Sequence, residues 1–94
     1  MVLRGDYGDY RYAVMQLFAT VDPMGLVAGG APDDEYEPEI NELLKWRRPV
    51  TAEDVREVFR RMFAPDGRVS KRDAALLAEG IATIRDEFGY TVTE

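Results

Sequence analysis

Six carboxylates and no cation lie between Asp33 and Glu42, at Asp33, Asp34, Glu35, Glu37, Glu39 and Glu42. Oxygen ligands in such numbers suit a hard divalent cation, and paired carboxylates can divide general acid–base work. Neither chemistry has its pattern here. No calcium-loop spacing runs through the segment, and paired acids need an apolar pocket that drives their pKa values apart. Acids around Pro38 instead match a helix start, where the macrodipole favours negative charge. The run reads as a solvated helix entrance.

Residues 52–88 have a second suggestive outline, helix, loop and helix with a glycine in the loop. Aligning Gly67 with the turn glycine of a calcium-binding hand puts Asp66 and Ser70 at plausible ligand positions and Asp73 at the closing one. The first and third ligand positions then fall on Met62 and Ala64, which cannot ligate. Asp73 is better explained as part of a helix cap. Gly25, Gly29 and Gly30 lack the preceding strand and the following Lys-Ser/Thr of a phosphate loop. The chain has no cysteine and no histidine. That removes disulfides, thiolate metal sites, cysteine nucleophiles and the commonest general base. The expectation is a non-enzyme with no catalytic residue, no cofactor and no metal.

The remaining chemistry is charge. The net charge of −6 disfavours nucleic-acid binding. It is unevenly spread: residues 1–44 carry −7, residues 45–72 carry +5 and residues 73–94 carry −4. The arginines of the middle stretch, Arg56, Arg60 and Arg61 among them, can meet an acidic partner or phosphate. They can equally pair with acids of the same chain, where each exposed pair contributes about 0–1 kcal/mol.

These side chains have to be positioned by 94 residues, about one domain. Hydrophobic residues make up 46% and charged residues 32%, ordinary values for a folded protein. Residues 1–8 read as a frayed lead-in and 90–94 as a flexible tail. Asp9 is placed to cap a first helix to about Thr20, with Tyr10, Ala13, Val14, Leu17, Phe18 and Val21 as its apolar stripe, widened by Tyr12 and Met15. Asp22-Pro23 reads as a cap and first residue of a short helical turn, Asp22–Ala28, ended by Gly29-Gly30. Pro38 opens a further helix with Ile40, Leu43, Leu44 and Trp46 on its apolar side, stopped by Pro49. Thr51 to Asp54 has capping-box spacing, and Val55, Val58, Phe59, Met62 and Phe63 follow as a core stripe. Pro65-Asp66-Gly67 reads as a turn. Ser70 to Asp73 repeats the cap, and Leu76, Leu77, Gly80, Ile81, Ile84 and Phe88 follow, with Gly80 as a point of close helix approach and Gly89 as the stop. No segment alternates with period two. The predicted fold is all-α: one domain, a compact bundle of about four helices plus the Asp22–Ala28 turn.

The stretch from Val21 to Ile40, VDPMGLVAGGAPDDEYEPEI, resembles a group of small bacterial helical proteins of unknown function. Their shared core reads Asp-Pro…Leu…Gly-Ala-Pro…Asp-Glu-Tyr. The resemblance covers about a quarter of the chain. It brings no catalytic residues. It implies that Asp22, Pro23, Leu26, Gly30, Ala31, Pro32, Glu35 and Tyr36 act as a unit, and, since some members accompany toxins or serve as accessory proteins, that the function is protein binding. Physically, Tyr36 is suited to fold back, ring on the core and hydroxyl on a polar partner.

The expected function is a non-enzymatic protein-interaction module of immunity or accessory type, in a bacterial cytoplasm. Its partner is another protein, with no role for a membrane. Candidate contact residues are Asp33, Asp34, Glu35, Tyr36, Trp46, Arg56, Arg60 and Arg61. The alternative is a small regulatory module that contacts nucleic acid through residues 45–72.

Overall fold

The computed structural model describes residues 7–32, 34–46, 48–63 and 67–90. Four helices follow in order: α1 Tyr7–Val21, α2 Glu37–Leu44, α3 Ala52–Met62 and α4 Lys71–Phe88. The protein is all-α. Among the described residues no helix is long and apolar enough to cross a membrane.

Local chemistry accounts for both starts and one stop in the second half of the chain. Thr51 caps α3 through a complete capping box: the Asp54 N–H donates to Thr51 Oγ1 at 3.1 Å, and the Thr51 N–H donates to Asp54 Oδ2 at 3.0 Å. Ser70 caps α4, accepting the Asp73 N–H at 3.0 Å. Gly89 stops α4 with φ of 78°, the left-handed conformation that costs glycine least.

Other boundaries differ from the sequence reading. α1 begins at Tyr7, so Gly8 lies inside it and Asp9 stands in its first turn rather than capping it. α2 starts at Glu37, one residue before Pro38, and Tyr36 in its cap position makes no side-chain cap bond. The Asp22–Ala28 stretch is a series of hydrogen-bonded turns, not a helix. Asp22 itself has φ of 51°, so it ends α1 in a left-handed conformation instead of capping a helix after it. The 65–66 part of the predicted turn and tail residues 91–94 lie outside the described residues, as do residues 1–6.

The core takes Tyr10, Val14 and Phe18 from α1, Ile40, Leu43 and Leu44 from α2, Val55, Val58 and Phe59 from α3, and Ala74, Leu77 and Ile81 from α4. Phe18, Phe59 and the loop residue Tyr36 form a ring triangle with centroids 6.0–6.3 Å apart at its centre. The helices meet α1 against α4, α4 against α3 and α3 against α2. A Cβ at Gly80 would lie 2.6 Å from Leu17 Cδ2, so the predicted close helix approach at Gly80 is present and its partner is α1. Three predicted stripe residues turn outward instead: Tyr12, Met62 and Leu76 are among the exposed large hydrophobics. Tyr12 and Leu76 lie on the sides of their helices away from the buried positions, and Met62 is the last residue of α3.

Candidate functional site at the head of α2

The 22–36 loop is held by one hydrogen-bonded node. The Tyr36 ring is fully buried, and its hydroxyl donates to Asp22 Oδ1 at 2.7 Å. The same hydroxyl accepts the Met24 N–H at 3.0 Å and the Leu26 N–H at 3.4 Å. The Asp22 carboxylate accepts two further backbone donors, Val27 N–H at 3.1 Å and Ala28 N–H at 3.0 Å. A left-handed Asp22 therefore lets its side chain satisfy the turn that the backbone cannot. Burial would push the Asp22 carboxyl up, but the bonds from Tyr36 and the loop amides outweigh it and hold the group below its ordinary range. Burial and the Asp22 carboxylate push the Tyr36 phenol up to about 12. The pair stays a neutral phenol on a carboxylate.

From this node the chain enters α2 through two turns, Glu35 N–H to the Pro32 carbonyl at 3.2 Å and Glu37 N–H to the Asp34 carbonyl at 3.1 Å. Asp34, Glu35 and Glu37 are exposed there. Arg11 of α1 reaches Glu37 at 3.3 Å, and Lys45 and Arg61 reach Glu42 at 3.0 and 3.5 Å. Lys45, first among the causes, draws the Glu42 carboxyl down. Glu39 is different. It is only 5% exposed, and its Oε1 has no hydrogen-bond partner among the described residues. Burial pushes its carboxyl above the ordinary range; its own N–H opposes that and the charge of Glu35 adds to it.

The candidate contact residues do not converge on one site. Asp33 lies outside the described residues. Asp34 and Glu35 are at the head of α2, whereas Tyr36 is sealed in the core and offers no surface. Trp46 is half-buried, with the Arg48 guanidinium 4.6 Å above its ring. Of the arginines on α3, Arg56 donates through Nε to the Val69 carbonyl at 3.1 Å, Arg60 pairs with Glu57, and Arg61 is the partner of Glu42. Arg48 makes a two-pronged pair with Asp54 at 2.5 and 3.0 Å, which draws the Asp54 carboxyl down. Folding thus sets many of the basic side chains of residues 45–72 against acids and carbonyls of the same chain.

The burial of two charged side chains escaped the sequence reading. Arg85 is 4% exposed, and it donates to the Tyr10 hydroxyl at 2.9 Å and to the carbonyls of Arg48 and Trp46 at 3.1 and 3.2 Å. Its signal was present, since Leu77, Ile81 and Arg85 are spaced by four along one face. Glu39 is three residues past Tyr36 and beside Ile40, on the buried arc of α2. In each case hydrophilicity masked the period. Among the described residues no three carboxylates converge closely enough to hold a metal ion. No family model, curated protein or solved structure matches the chain.

Proposed function

We propose that the protein is a non-enzymatic interaction module, of the immunity or accessory type, which binds a basic protein through the head of α2. The observation that carries this reading is the Asp22–Tyr36 node. It anchors Tyr36, between Glu35 and Glu37, to the 22–28 turn from inside, so Asp34, Glu35 and Glu37 are presented at a lower ordering cost than a free loop pays on binding. Acidic side chains on a preorganised support favour encounter with a positively charged surface. The bacterial, cytoplasmic setting and the kinship implied by the Val21–Ile40 stretch belong to the same proposal. Nucleic-acid binding by residues 45–72 loses ground to the ion pairs of Arg48, Arg60 and Arg61.

Affinity capture from the native host tests this reading, with the full chain beside the variant Asp34→Asn, Glu35→Gln, Glu37→Gln. A basic protein retained by the natural chain, lost by the variant and rebound after purification is the expected result. A partner held equally by both moves the contact away from α2, and retention of nucleic acid instead reverses the ranking.

A further inference from the structure

A buried polar atom without a partner is rare in a folded protein and calls for an explanation. Glu39 Oε1 is such an atom, on a residue 5% exposed. It sits within a series of acids whose other members are differently provided for. Glu37 has Arg11, and Glu42 has Lys45 and Arg61. Glu39 has no cation among the described residues, although it lies between the two on the same short helix. Glu35, one turn earlier, is exposed and close enough for its charge to act on Glu39. Because exposed Glu35 acts on it, the Glu39 carboxylate lies on the side of α2 next to the acidic surface.

We propose that Glu39 is the anchoring acceptor for an arginine of the partner, which enters beside Glu35 and draws outward, to bond it, the covered oxygen that the fold leaves unbonded. This rests on the reading of the head of α2 as a protein-binding surface and names the partner group that surface takes. The raised proton affinity of Glu39 fits a carboxylate that still lacks its counter-ion. An incoming guanidinium would bridge Glu35 and Glu39 with its forked donors, a geometry that an ammonium cannot reproduce. Docking next to water-excluding neighbours makes such a contact a hot spot, whereas the exposed acids around it steer approach.

The test uses a hexa-arginine peptide titrated into the isotopically labelled full chain at low salt. The Glu39 side-chain carboxyl carbon should shift on saturation. Glu39→Gln should weaken affinity at least fivefold, while Glu42→Gln, whose carboxylate already has two cations, should change it less than twofold. Equal losses for the two variants identify net charge alone as the cause and overturn the anchor. Undiminished binding to Glu39→Gln, with resonances of Asp34, Glu35 and Glu37 still responding, also overturns it and leaves the wider reading standing. Absence of binding to the natural chain removes both.

Discussion

Arg85 and Glu39 are the two buried charged side chains among the described residues, 4% and 5% exposed, and the protein treats them in opposite ways. Arg85 finds a hydroxyl from α1 and two carbonyls from the segment joining α2 to α3. Those carbonyls lie where no helix or strand gives them a partner, so the guanidinium satisfies them as they satisfy it. Tyr10 stacks on Tyr90 at 4.5 Å and tilts against Phe88 at 6.1 Å, which places the same cluster where α1 meets the end of α4. Glu39 has no such supply, and one of its oxygens stays unbonded. A buried charge that joins three segments is a fastener. A buried carboxylate oxygen that lacks a partner beside an acidic surface is the acceptor we propose for a donor from another molecule.

The largest effect is expected at the fastener. Arg85→Met keeps much of the volume but strands the Tyr10 hydroxyl and the carbonyls of Trp46 and Arg48. It should destabilise the fold by about 3 kcal/mol. For a chain of this size that lowers the melting temperature by roughly 15 °C. An unchanged or raised melting temperature would show that packing, not bonding, holds this end together, and would remove the contrast with Glu39.

Tyr36→Phe tests the node that supports the other end. It removes the hydroxyl bonded to Asp22 and to the Met24 and Leu26 amides while sparing the ring triangle. A loss of about 2 kcal/mol is expected, as for a hydrogen bond to a charged group. Faster hydrogen exchange should be confined to residues 22–36. Exchange that rises across all four helices instead would make the node part of the global core and not a local support.

Glu39→Gln should go the other way and stabilise the free protein by about 1 kcal/mol at pH 7, because an amide is cheaper to bury than an unpaired carboxylate. Its pH dependence carries a sign. Burial raises the Glu39 carboxyl above 4.5, so the folded state takes up its proton more readily than the unfolded chain. The stability linked to this group is present below the unfolded value and is lost as pH rises through the folded one. The advantage of Glu39→Gln should therefore shrink as pH falls from 7 into the acid range. Asp22 and Asp54, both held low, act oppositely. Their stabilisation is present above the unfolded value and disappears as pH falls through the folded one. Denaturant midpoints of the natural chain, Glu39→Gln and Asp54→Asn between pH 7 and pH 3 separate the two signs. A gap for Glu39→Gln that widens toward acid would refute an unpartnered carboxylate.

The four helices were legible in the residues because their signals are local. Thr51 and Asp54 reach each other within one turn, Ser70 needs only the Asp73 amide, and Gly89 needs only its own missing Cβ. The buried stripes through Val14 and Phe18, and through Val55, Val58 and Phe59, follow from the helical period alone. The inward fold of Tyr36 was also within reach, since an aromatic ring ending in a hydroxyl asks for a core and a polar partner together. What that partner would be was not. Asp22 is fourteen residues away, and only a left-handed turn at the end of α1 aims its carboxylate at the phenol. The pairing of Arg61 with Glu42 across two helices and the opposite provision for Arg85 and Glu39 likewise depend on which neighbour packs where. Periodicity names the face of a helix. Whether a charge on that face meets an acceptor depends on contacts between residues far apart in the chain, and those exist only once the bundle has closed.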